Sequence, residues 1–525
     1  LKNASSAWFR RIVDRRRGRS PPRWRGSPAL ALQGEGGAMR LARGRTRALQ
    51  QQQQQQQHVF VGKDVPPHPP SPLHTQLLAE FLGTFVFTFC LGCNVLSANA
   101  IWGGVAIASM LTAATYALGG ISGAHFNPAV SVAMGIVEVA GGKGIPPKTV
   151  FMYCGVQILG ALVAGMCYTY AFWDTFALGP GEGFGAVHVG LCETVYTFML
   201  VFVVLNVSAS GSAPNQYYGL AVGFVYVAGV YGAARVSGGC FNPAVAIGID
   251  IFSVFYGFGW SLAYLMFEFT GAALAVVLFK IVRPEVFGGD EGTRTAQLVS
   301  EFLGTFMLIL TLGLNVLGKS PSGPFSVAAC YMCMSYAVAD VSGAHFNPCV
   351  TLAVFISGRC QEATPQRTKA KVCMYLGVQL LAAVVGGYAY SSIYGGGSFR
   401  LGPGFFGEAW TPIAMEEFVF TFLLCFVVLS VTYSNTTRNS TMRGFAIGSC
   451  VTVAGNATKS IFGACLNPAM ALGIAVAHRA SEGSLFGALY YSLVEVLAGV
   501  AAAHVFITTH AVDVQEESLG DAWRG

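Results

Sequence analysis

Four times this chain of 525 residues places an Asn-Pro pair behind a short run of small residues. The segments are Ser122-Gly123-Ala124-His125-Phe126-Asn127-Pro128-Ala129, Ser237-Gly238-Gly239-Cys240-Phe241-Asn242-Pro243-Ala244, Ser342-Gly343-Ala344-His345-Phe346-Asn347-Pro348-Cys349 and Phe462-Gly463-Ala464-Cys465-Leu466-Asn467-Pro468-Ala469. Asn is a strong helix N-cap, Pro is preferred at the first helical position, and the glycines ahead of them allow a tight backbone turn. Each segment therefore predicts a helix that starts at its Asn. About ten apolar residues follow each box, too few to cross a hydrocarbon layer of ~30 Å. Such half-helices re-enter the membrane, which is tolerated only where the polar loop is buried in protein or lines a water-filled cavity. Two of them from inverted repeats bring asparagine amides and positive dipole ends to one lumen near the midplane. That lumen suits a neutral hydrogen-bonding solute and opposes cations and protons.

The elements that must carry these boxes are legible as apolar runs. Spans are predicted near 77–97, 101–119, 150–172, 188–208, 217–234 and 258–282, then near 296–317, 325–340, 370–393, 412–433, 443–456 and 485–508. Glycines such as Gly155, Gly160, Gly165, Gly377, Gly386 and Gly387 fit close helix packing in lipid. The two sets of six are copies. Glu80-Phe81-Leu82-Gly83-Thr84-Phe85 returns as Glu301-Phe302-Leu303-Gly304-Thr305-Phe306, and Leu178-Gly179-Pro180-Gly181 as Leu401-Gly402-Pro403-Gly404. Glu193 and Glu417 repeat the same pattern inside each copy, each followed four residues on by Thr-Phe. A tandem duplication of a unit that is itself two-fold accounts for this.

Composition agrees with the spans. The chain is 53% apolar and 11% charged with a mean hydropathy of +0.54, against about 25% charge in a soluble globular protein. The formal +6 is the sum of +11 in residues 1–76, −2 in the middle and −3 in residues 511–525. This excludes a soluble enzyme and a nucleic-acid binder with a basic core. The Arg, Gln and Pro bias of residues 1–76 predicts a disordered tail. The organisation expected is thus a basic tail (1–76), a first channel-like domain (77–284), a linker (285–295), a second domain (296–510) and an acidic tail (511–525). Lys and Arg collect in the loops after even-numbered spans, placing both tails and the linker in the cytoplasm. Asn435-Thr436-Thr437 and Asn439-Ser440-Thr441 match glycosylation acceptors, but on this topology they remain unmodified. The fourteen cysteines lie mostly in apolar runs and read as packing residues.

These residues together resemble the aquaporin, or major intrinsic protein, family in two tandem copies over residues 77–510. The resemblance rests on six spans per copy, the Asn-Pro-Ala boxes, the Ser-Gly-Ala-His lead-in, the first- and fourth-span glutamates, and Gln157 and Gln379 in the third spans. It implies an all-α membrane protein of two six-helix bundles, each with two re-entrant half-helices. It implies one passive pore per copy, in which Asn127 with Asn242, and Asn347 with Asn467, orient the solute. It also implies that Glu80, Glu193, Glu301 and Glu417 accept loop N–H groups, the proton relay being the sharper alternative. His125 and His345 are then loop-bonding residues, with gating by titration as the alternative.

Two departures bear on selectivity. Cys349 replaces the box alanine, and the arginine that usually follows the second box is Val245 in one copy and Met470 in the other. Family spacing puts the other filter positions at Ile107, Val230 and Gly239, and at Val327, Gly455 and Ala464, with Asn456 as a register alternative to Gly455. Arg235 and Lys459 read as rim residues, with replacement of the missing filter charge as the alternative. Without a filter cation, glycerol, urea, ammonia or hydrogen peroxide are expected beside water. No cofactor, metal or catalytic residue is expected; the partners are water, small neutral solutes and lipid, and two tandem chains would give a four-pore assembly. A non-conducting structural or adhesive protein is the alternative, and a secondary transporter a further one, for which Asp340, Glu268 and Glu495 are the few unassigned intramembrane charges.

Overall fold

The computed structural model describes residues 71–210, 216–403, 410–458, 465–479 and 485–511. Sixteen α-helices and no strand lie among them. The expected residues Lys459, Phe462, Gly463 and Ala464 fall outside the described residues, as does nearly all of both tails.

In the first copy the helices are α1 (Leu73–Leu96), α2 (Gly103–Ser122), α3 (Pro128–Val139), α4 (Pro147–Phe172), α5 (Ala186–Ser208), α6 (Tyr218–Ser237), α7 (Pro243–Phe252) and α8 (Trp260–Val282). The second copy repeats the order as α9 (Arg294–Gly318), α10 (Gly323–Val338), α11 (Pro348–Ile356), α12 (Pro365–Ile393), α13 (Trp410–Val428), α14 (Arg443–Ala457), α15 (Pro468–Arg479) and α16 (Phe486–Thr509). Every half-helix begins at the proline of its box, as local capping dictates. Residues Leu429–Tyr433 continue α13 as a π-helical turn.

Among the described residues ten helices are long and apolar enough to cross a membrane. The other two expected spans are shorter than their first-copy counterparts: α10 has 16 residues and α14 has 15, against 20 each for α2 and α6. At α10 a long-range contact accompanies the early end. The chain leaves the helix at Ala339, and the next residue, Asp340, accepts from both terminal nitrogens of Arg283 at 2.6 and 2.9 Å.

That arginine belongs to an interface between the copies. It follows α8 directly, is 6% exposed, and also donates to Asn206 Oδ1 and to the Ala337 carbonyl. Elsewhere α5 and α6 lie against α9 and α10. Tyr196 donates to Thr311 Oγ1, Ser326 donates to the Ala228 carbonyl, and the rings of Tyr217 and Tyr336 stack at 4.4 Å. Fourth and fifth spans of one copy therefore pack on first and second spans of the next, a head-to-tail contact.

Candidate pore sites

Each box is held by a glutamate 44–49 residues earlier, on the span before the one that leads into it. Glu80 accepts His125 N–H at 3.0 Å and Phe126 N–H at 2.7 Å; Glu193 accepts Cys240 N–H at 3.1 Å and Phe241 N–H at 2.8 Å. In the second copy Glu301 accepts His345 and Phe346 N–H, and Glu417 accepts Cys465 and Leu466 N–H. The pattern has a conformational cause. Phe126, Phe241, Phe346 and Leu466 all take φ between 49° and 57°, a left-handed backbone that disfavours a bulky residue and persists only when its surroundings enforce it. The carboxylate enforces it by holding that residue's own N–H.

Further groups complete the clamp. Ser122, Ser237 and Ser342 donate to the matching glutamates at 2.6–2.7 Å, and Gln157 and Gln379 each donate to theirs at 2.8 Å. His125 bonds Ser131, and His345 bonds Thr351 and, through Nε2, the Tyr433 hydroxyl at 2.7 Å. The rings of Phe126 and Phe346 rest where a Cβ on Gly83 or Gly304 would stand, within 2.0 and 2.1 Å, so the glycine of Glu-Phe-Leu-Gly is required by close approach. Glu495 of α16 adds a contact that the boxes do not announce, accepting Asn467 N–H at 2.8 Å. Its first-copy counterpart, Glu268, is buried on α8.

The asparagines meet across each pair of loops. Asn127 Nδ2 donates to the Phe241 carbonyl at 2.8 Å and Asn242 Nδ2 to the Phe126 carbonyl at 2.9 Å. Asn347 and Asn467 do the same to Leu466 and Phe346 at 2.7 and 2.9 Å. Each Oδ1 caps its own half-helix, on Ala129, Ala244, Cys349 and Ala469 N–H. A primary amide has two N–H donors; one locks the opposite loop, and each asparagine lines a cavity. Cys349 therefore leaves the capping geometry intact, since only its backbone takes part.

The cavities differ between copies. In the second, one cavity of about 70 Å³ includes Val327, Gly455 and Met470 with Asn347 and Asn467 in its lining. Gly455, not Asn456, faces it; Asn456 is exposed and donates back to the Thr452 carbonyl. In the first copy, Asn127 and Asn242 line a cavity of about 10 Å³ with His125, while Ile107, Val230 and Arg235 line a separate, outer one. Val245 is fully buried and lines neither, and Gly239 packs against Val230. Among the described residues no group of His, Cys, Asp or Glu is placed to hold a metal ion.

Comparison with known proteins agrees with this geometry. The family model described as major intrinsic protein matches residues 70–279, 206–316 and 291–507. A glycerol uptake facilitator protein-like 6 of Lactiplantibacillus plantarum is 32% identical over 218 residues, covering 40% of this chain and 99% of the relative. An aquaporin Z of Rhodopseudomonas palustris is 32% identical over 243 residues, covering 42% and 98%. A probable aquaporin NIP4-2 of Arabidopsis thaliana is 30% identical over 223 residues, covering 40% and 75%. Each relative thus corresponds to less than half of the chain, whereas the family model reaches from α1 to α16. The chain is an integral, multi-pass membrane protein that belongs to the major intrinsic protein family, a family of channels, and carries its fold in two tandem copies.

Proposed function

We propose that the chain is a passive channel with two pores, one in residues 77–284 and one in 296–510, joined by the linker 285–295. Each pore passes water and small neutral solutes, with glycerol, urea, ammonia and hydrogen peroxide as candidates, and excludes protons and ions. The observation that carries this reading is the reciprocal asparagine lock. Two half-helix N-termini face each other with one free amide hydrogen apiece, an arrangement that orients a neutral solute and repels a cation. Glycerol enters the reading from the named relative and from the apolar residues Val327 and Met470 beside the box, which lack the donors and charge of an arginine.

On this reading the filter positions counted from the boxes are Ile107, Val230, Gly239 and Val245 in the first copy, of which Ile107 and Val230 line a cavity, and Val327, Gly455, Ala464 and Met470 in the second. Glu80, Glu193, Glu301, Glu417, His125 and His345 position the loops. Both termini are cytoplasmic, by the Lys and Arg bias of the loops. The head-to-tail packing of α5 and α6 on α9 and α10 supports an assembly of two chains and four pores, because such a contact repeats until it closes a ring.

The test is stopped-flow light scattering on proteoliposomes carrying the full chain, under gradients of an impermeant sugar and then of glycerol, with a trapped pH dye. Fast osmotic shrinkage without proton leak is expected. A coupled proton signal on solute entry would favour a transporter, and flux equal to protein-free vesicles would favour the structural alternative.

A further inference from the structure

We propose that Asn315 and Ser320 form a solute subsite in the outer half of the second pore, one that favours neutral solutes carrying N–H or O–H donors. The proposal rests on the channel reading above and adds a selectivity element that lies outside the four filter positions counted from the boxes.

Asn315 stands near the end of α9, is 2% exposed, and lines the same cavity as Val327, Gly455 and Met470. Its amide orientation is fixed by its neighbours. Nδ2 donates one hydrogen to the Thr311 carbonyl at 2.8 Å and the other to Ser326 Oγ at 2.9 Å. Ser326 can only accept there, because its single hydroxyl hydrogen goes to the Ala228 carbonyl at 2.8 Å. The NH2 group is thereby turned away and Oδ1 is left over. Among the described residues no donor reaches that buried oxygen. Ser320 Oγ, on the same cavity, is also buried and without a partner.

An orphaned acceptor in an apolar wall is unfavourable unless something in the cavity fills it. Leu308, Leu312, Val316, Val327 and Met470 of the lining cannot fill it, and Tyr331, Asn347 and Asn467 of the same lining donate to loop carbonyls. A solute that sheds water to pass these residues recovers a hydrogen bond at Asn315 if it carries a donor, and a second at Ser320, which can give or accept. Urea and polyols fit that pair. A solute with acceptors alone finds only the Ser320 hydroxyl.

The first copy carries a looser version. Asn94 occupies the matching place and its Nδ2 likewise donates to the carbonyl four residues back, at Cys90, but its second contact is the Cys90 sulfur at 3.4 Å and the side chain is only half-buried. Ala106 stands where Ser326 stands in the second copy, so no hydroxyl fixes the amide. The outer cavity there also holds Arg235 and, from the second copy, Lys319. The two pores thus differ in what they offer a solute before the box, and the orientation of the second pore's acceptor depends on a carbonyl of the first copy.

The test measures urea and water permeability of full-length protein in proteoliposomes, in an Asn127→Asp background so that the second copy dominates the signal. Asn315→Val, which removes the acceptor, is expected to lower urea permeability about tenfold and water permeability less than about twofold. Ser326→Ala keeps the amide but frees its orientation, and is expected to lower urea permeability by about threefold. A urea-to-water ratio equal to the parent's in both variants would overturn the proposal. So would a proportional loss of both fluxes, since that marks a purely structural role. Absence of any flux in the wild-type chain would remove the channel reading itself and the subsite with it.

Discussion

Asn347 and Asn467 each donate an amide hydrogen to the carbonyl that precedes the other, Asn347 to Leu466 and Asn467 to Phe346. The two half-helices therefore cannot separate without breaking both bonds, and neither asparagine can rotate to offer its oxygen to the lumen while Oδ1 caps Cys349 or Ala469. On the channel reading, this one contact lines the lumen with donors and two positive helix ends.

The clamp behind the box is the first place to test it. Glu301→Leu leaves the His345 and Phe346 N–H groups and the Gln379 amide without their acceptor in a water-free interior. A loss of about 3 kcal/mol or more in stability is expected, read as a lower unfolding temperature in detergent together with lost flux. Glu301→Gln keeps an acceptor oxygen and should lose less on both counts.

Arg283 fastens the second copy to the first through Asp340, Ala337 and Asn206. The arginine is buried while Asp340 is 42% exposed, so the pair is partly screened. Arg283→Ala is expected to cost about 1–2 kcal/mol and to expose the following linker. Limited proteolysis should then release two half-size fragments faster than from wild type; equal rates would show that the interface does not depend on this residue.

Glu362, in the loop after α11, gives a pH dependence. Partial burial pushes its carboxyl upward, but Arg294 at 3.0 Å and Lys371 at 3.3 Å outweigh this and hold it below the usual range. A carboxylate with a depressed folded pKa adds stability that is fully present above the unfolded value of about 4.3 and is lost as pH falls through the folded one. The amount is below about 1 kcal/mol at this partly exposed, solvent-screened site. Glu362→Gln should flatten the acid limb of the stability profile and leave stability at pH 7 slightly lower.

Orientation is open to a direct check. Asn435 and Asn439 sit in the exposed loop between Tyr433 and Arg443, which is cytoplasmic on the orientation proposed above. In a glycosylating host the protein should show no mobility shift on glycosidase treatment. A shift abolished by Asn435→Gln plus Asn439→Gln would invert the topology.

Much of the architecture is written locally. Asn, Pro and the glycines before them carry their own capping and turning preferences, so the half-helices start where the boxes stand. The repeated Glu-Phe-Leu-Gly signature is equally readable as a repeat, but that Gly83 and Gly304 seat the box phenylalanines is a tertiary fact. The Arg283–Asp340 pair just past the early end of α10 joins residues 57 apart in sequence, and no local pattern marks it. Asn315 lacks any motif. An asparagine near the end of an apolar helix reads as a boundary residue, and its free oxygen becomes evident only once Ser326 and Ala228 are seen to use up the neighbouring hydrogens.

Whether paired asparagines form a conducting path in each copy is decided by the osmotic water permeability of proteoliposomes carrying wild type, Asn127→Asp, Asn347→Asp and the double variant. Replacing the amide by a carboxylate removes the lumen donors and the lock on the opposite loop. Each single variant should lose part of the flux, the larger part with Asn347→Asp because the second copy holds the larger cavity at its asparagines, and the double variant should fall to the protein-free rate. Wild-type flux in a correctly folded double variant would contradict the account.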